Sequence, residues 1–74
     1  MSDYEKICGI VSEVIGVPVE AVASDPQSFE ARIGSLDLTE IILEVEEEFD
    51  LIVEDEENIR TISDILQRVE AQIA

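Results

Sequence analysis

Three stretches of this chain repeat aliphatic residues at steps of three and four, and that period admits helices and little else. In the first, Tyr4, Ile7, Cys8, Val11, Val14 and Ile15 share one helical side, with Ser2 and Glu5 ahead of them at capping-box spacing. Gly16 can take the left-handed conformation that ends a helix, and Pro18 lies just beyond. The second stretch predicts a helix over 35–49, with Leu38, Ile41, Ile42, Val45 and Phe49 on one side. The third begins near Thr61, takes Asp64 as its capping partner, and carries Ile62, Ile65, Leu66, Val69 and Ile73.

The segments between are less regular. Residues 17–34 form a long connection holding Pro18, Asp25, Pro26, Ser28 and Gly34. Its anchors to the core are expected to be Val19, Ala21, Val22, Phe29 and Ile33, with one short helical turn over 18–22. Residues 51–53 are apolar and 54–57 are all acidic, which suits the start of a short helix near 55–59. A strand over 51–53 is the alternative, without an evident partner. The pattern therefore predicts an all-α fold: a small four-helix bundle of three main helices and a short third one, in one domain over 1–74.

Size and charge restrict function. A chain of 74 residues buries only roughly 60% of its unfolded surface, enough for one thin core and no deep cleft. Aromatic residues are few, so that core is aliphatic. The formal net charge is −15, which repels nucleic acids and anionic membranes and favours partners with Lys/Arg patches. The chain has no histidine and one cysteine, Cys8. An internal disulfide is impossible, a zinc site is excluded in practice, and Cys8 reads as a small buried hydrophobe. A calcium loop starting at Asp50 fails, because Asp55 stands where glycine is needed and Thr61 where the closing glutamate belongs. No apolar run has membrane length and no basic-plus-apolar leader is seen, so a cytoplasmic monomer is expected.

The second helix carries more than a core face. Leu36, Glu40, Leu43, Glu44 and Glu47 form another stripe, apolar residues set among carboxylates. Glu40–Glu44 and Glu44–Glu48 are like-charge pairs, each costing an isolated helix roughly 0.2–0.5 kcal/mol. Charge alone fits an anionic docking face and an ordinary solvated face equally. Ser35 stands at the start of this helix. Without histidine to activate it, Ser35 is a poor nucleophile, and no enzyme activity is expected. It is well placed to be modified by another enzyme, because unpaired N–H groups and partial positive charge at a helix start favour a phosphate ester.

Ser35-Leu36-Asp37, then Glu40, then Glu46-Glu47-Glu48-Phe49-Asp50, closely resembles the acyl carrier protein family, and the likeness extends over essentially the whole chain. In that family the serine of an Asp-Ser-Leu motif opens the second helix and carries 4′-phosphopantetheine, taken from coenzyme A. The resemblance implies that Ser35 bears the arm and that Asp37 is a neighbouring carboxylate for the phosphopantetheinyl transferase. Leu36, Glu40, Leu43, Glu44 and Glu47 would then meet basic patches on acyl-transfer, condensing and tailoring enzymes of fatty acid, polyketide or related synthesis. The acyl tail would partly enter the bundle beside the second helix. Departures are Gly34 in place of the usual aspartate, no Leu-Gly pair within 29–33, Arg32 as a positive charge close to Ser35, and Glu44 where a small residue is common. These fit a specialised pathway or lineage drift alike. The rival reading is a small acidic adaptor or nucleic-acid mimic, which needs no serine at a helix mouth. A peptidyl carrier usually shows Gly-Gly-x-Ser, and here Ile33 precedes Gly34.

Overall fold

A computed structural model of the chain describes residues 2–73. Helix α1 spans Asp3–Ile15. Its capping box forms as the spacing predicts: the Glu5 N–H donates to Ser2 Oγ and the Ser2 N–H donates to Glu5 Oε1, both at 3.2 Å. Gly16 ends it at φ 74°, the left-handed region where a Cβ would be strained, and its N–H reaches the Ser12 carbonyl at 2.9 Å. The Ser12 hydroxyl donates to the Val17 carbonyl and ties down the exit.

The long connection is more ordered than its composition suggests. It holds two short helices, α2 (Val19–Ser24) and α3 (Pro26–Glu30). Pro18 precedes α2 and accepts from the N–H groups of Ala21 and Val22, while Pro26 opens α3 where a missing N–H costs nothing. Val22 is fully buried and Phe29 and Ile33 pack against the core, as expected, but Val19 is exposed. The Tyr4 hydroxyl donates to the Ala23 carbonyl at 3.0 Å and fastens α2 to α1.

Helix α4 runs Ser35–Phe49 and closes on Asp50, whose φ of 53° lets the chain turn back. The Val53 N–H then donates to Glu46 Oε2 at 2.7 Å, so one carboxylate of the acidic run organises the following loop. Residues 51–53 form no strand; Val53 is buried and Ile52 is exposed. The expected short third helix is a single 3-10 turn, Glu56–Asn58, after which Ile59 enters the core with no exposed surface. Helix α5 covers Ile62–Ile73. Ile73, placed by its period on the apolar face, is half exposed at the helix end.

Helix α1 is the hub and packs on α2, α4 and α5. The core is wholly aliphatic apart from Cys8, with Ile7, Val11, Ile41, Val45, Ile59 and Val69 at zero exposure. Burial pushes the Cys8 thiol above its ordinary pKa, which makes it less reactive. No described helix is long and apolar enough to cross a membrane.

The start of α5 gives a pH signature. Asp64 Oδ2 accepts from the N–H groups of Arg60 (2.9 Å) and Thr61 (3.1 Å), and these bonds hold its carboxyl below the usual value. A lowered folded pKa means stabilisation that is full above the unfolded value, about 3.9, and lost as pH falls through the folded one. Asp64→Ala is therefore expected to melt earlier than the parent at pH 7, with the gap closing in acid. Melting curves of both proteins from about pH 7 to pH 2 check this; a constant gap contradicts it.

Candidate functional site

Gly34 and Ser35 divide the labour at the mouth of α4. Gly34, extended at φ −79° and ψ 171°, occupies the cap position, and its carbonyl accepts from the Leu38 N–H at 2.9 Å. Ser35 is the first residue inside the helix, so its hydroxyl is not used as the cap. Ser35 is exposed, and no described group hydrogen-bonds to its Oγ. Its carbonyl accepts from Thr39 Oγ1 at 3.0 Å. The backbone at 34 does not demand glycine: a Cβ there would meet Asp37 Oδ2 at 3.9 Å, an ordinary contact.

Two open grooves meet at Ser35. One, of about 350 Å³, is lined by Leu38, Thr39, Ile42, Glu56, Glu57 and Arg60. The other, of about 440 Å³, is lined by Glu30, Ile33, Gly34, Leu38 and Arg60. Leu38 and Ile42 give the first groove an apolar floor that leads toward the core. Glu30 also links the elements around the site, its Oε1 accepting from the Ile62 N–H at 2.9 Å. The sequence places the positive charge near Ser35 on Arg32. The structure lays the Arg32 guanidinium over the Phe29 ring, 5.6 Å from its centre, and puts Arg60 on both grooves.

The second stripe of α4 is open to solvent. Leu36 is 86% exposed and Leu43 56% exposed, and Glu40, Glu44 and Glu47 are exposed beside them. Asp37 is half-buried at the helix start, where a negative charge is favourable. Glu44 sits at the α1 edge of this face, lining a groove with Lys6 and Val19. Glu46, one position before Glu47 and outside that stripe, is half-buried on the loop side. Sequence reasoning missed Ile59, Arg60 and Glu30. Ile59 lies outside any periodic run, and the other two act through the folded loop.

A family model described as a phosphopantetheine attachment site matches residues 5–69. The chain is 36% identical over 70 residues to an acyl carrier protein of Streptococcus thermophilus, covering 95% of each chain. It is 34% identical to an acyl carrier protein of Lactococcus lactis subsp. cremoris, covering 95% of this chain and 96% of the relative.

The chain belongs to the acyl carrier protein family.

A third acyl carrier protein, from Streptococcus pyogenes, is 33% identical over 95% of both chains. No solved structure matches the chain. The all-α fold is that of an acyl carrier protein, and the prosthetic group of the family is 4′-phosphopantetheine.

Proposed function

We propose that this acyl carrier protein bears its arm on Ser35, performs no chemistry of its own, and hands acyl thioesters between cytoplasmic enzymes of fatty acid, polyketide or related biosynthesis. The observation that carries the reading is the hydroxyl itself: exposed, first in its helix, and free of any hydrogen-bond partner among the described residues. The surroundings suit a phosphodiester. The first N–H groups of α4 point toward the helix mouth with partial positive charge, and Arg60 borders the site. The group, when bound, supplies a terminal thiol for the acyl cargo. The groove floor of Leu38 and Ile42 offers the start of an apolar path for that cargo.

Delivery requires brief docking. Leu36 and Leu43 provide a small apolar anchor, ringed by Glu40, Glu44, Glu47 and Asp37. Charges at a rim raise the rate of encounter more than they deepen affinity, which suits a carrier that must leave again. A phosphopantetheinyl transferase and acyl-transfer, condensing and tailoring enzymes with basic patches are the fitting partners. Glu40→Lys or Glu47→Lys is expected to slow partner turnover several-fold at low salt and little at high salt, because screening removes the long-range attraction. Rates measured across a salt series test this, and an equal loss at every salt concentration contradicts electrostatic docking.

The carrier role is tested by loading. Protein bearing the arm, given an acyl donor and its transferase, is expected to gain one acyl mass that neutral hydroxylamine removes. The gain should persist in Cys8→Ala, since Cys8 is buried and is not the cargo thiol. An acyl mass that disappears in that variant would overturn the reading.

A further inference from the structure

We propose that Arg60 is a second anchor for the arm, pairing with its phosphodiester; this rests on attachment at Ser35. The chain has four basic residues against nineteen acidic ones, so the place of each cation is informative. Lys6 lies 5.6 Å from the centre of the Phe49 ring, and Arg32 lies equally far from that of Phe29. Arg68 pairs with Asp55 at 2.7 Å. The Arg60 guanidinium has no carboxylate partner among the described residues, and Arg60 lines both grooves that open from Ser35.

The position of Arg60 is built in from both sides. Ile59, the residue before it, is fully buried. Its own N–H is held by Asp64 Oδ2 at 2.9 Å, in the cap of α5. Nη1 donates to the carbonyls of Glu57 (2.6 Å) and Ile59 (3.1 Å). Those two neutral acceptors fix the guanidinium and leave Nε and Nη2 for an anion. A fork already held loses little freedom when it binds, and guanidinium suits phosphate oxygens. Glu56 and Glu57 face the same groove, and Glu30 faces the other. A phosphodiester on Ser35 would meet repulsion from these carboxylates, and among the described residues Arg60 is the one cation lining either groove. Arg60 is thus a positioning residue. It holds the root of the arm against the α4 mouth and directs the chain beyond toward the Leu38–Ile42 floor.

A thermodynamic cycle separates this role from plain structural support. Arg60→Gln and Arg60→Lys are prepared in the bare and arm-bearing forms, with intact mass confirming the state of each. If Arg60 only braces the Glu57–Ile59 turn, Arg60→Gln lowers both melting temperatures equally. Pairing with the phosphodiester makes the arm-bearing form lose a further ~2–5 °C at low ionic strength, the size expected of an exposed charge pair in a small domain. Arg60→Lys is expected to recover most of that extra loss, and high salt to erase it. Equal losses in the two forms overturn the proposal. Should Arg60→Gln not fold, the phosphorus NMR resonance of the arm-bearing parent decides. It is expected to move with salt more than that of a short Ser35 peptide bearing the same phosphodiester but no Arg60; identical salt responses overturn the proposal. Failure to add the arm at Ser35 sinks the attachment reading and this inference together, whereas an arm in place with equal losses sinks this inference alone.

Discussion

Ser35→Ala is expected to abolish the addition of phosphopantetheine completely while leaving the fold intact. The parent, incubated with coenzyme A, magnesium and a broad-range transferase, gains one arm per chain; the variant gains none. The loss is total because the phosphodiester needs a hydroxyl oxygen, and no other group at the α4 mouth supplies one with the same exposure and freedom. The fold survives for equally local reasons. Gly34 serves as the cap and Ser35 Oγ bonds nothing described, so alanine removes no interaction. Alanine is also the best helix former, and an exposed change of this kind stays within about 0.5 kcal/mol. Thermal melting and helical circular dichroism that match the parent would show that the lost loading is chemical. A variant still loaded at the parent's level would remove Ser35 from its assigned role.

Ile41→Ala is expected to destabilise the fold strongly, and it acts on the same helix. Ile41 has no exposed surface and sits on α4, which packs against α1. Its truncation costs the transfer of buried methylenes and leaves a cavity, together about 2–5 kcal/mol. A chain of this length has a total stability of only about 4–11 kcal/mol by the usual per-residue range. The melting temperature should fall by roughly 10–30 °C, and denaturant midpoints should fall in step. Two positions along the helix, Leu43 is 56% exposed, and Leu43→Ala should change stability by less than about 0.5 kcal/mol. That contrast separates the face that holds the fold from the face left open to solvent. Similar losses at both positions, seen in denaturant titrations, would contradict the division.

The helices were legible in the sequence wherever one face is buried and the cap is local. Ser2 with Glu5, Gly16, and Thr61 with Asp64 are signals within a single turn, and each forms the bond its spacing predicts. The connection over 17–34 was harder, because α2 and α3 are too short to show a period and are held by distant partners. Tyr4 reaches Ala23 across nineteen positions, and Glu30 reaches Ile62 across thirty-two. No local pattern encodes such bonds. The same reason hid Arg60. Adjacency in sequence points to Arg32 as the cation near Ser35, whereas the fold also brings to the groove at Ser35 a residue twenty-five positions away. The exposed stripe on α4 was readable as a pattern but ambiguous in meaning. Its leucines gain significance from being uncovered, which only the packed structure reveals.

The most direct measurement is fragment mass spectrometry of protein isolated from its own host, mapping any phosphopantetheine to a residue. The serines available to it are Ser2, Ser12, Ser24, Ser28, Ser35 and Ser63. The account predicts the arm on fragments containing Ser35 and on no other. An arm found on a different serine, or a chain that stays bare even after a competent transferase is supplied, would contradict it.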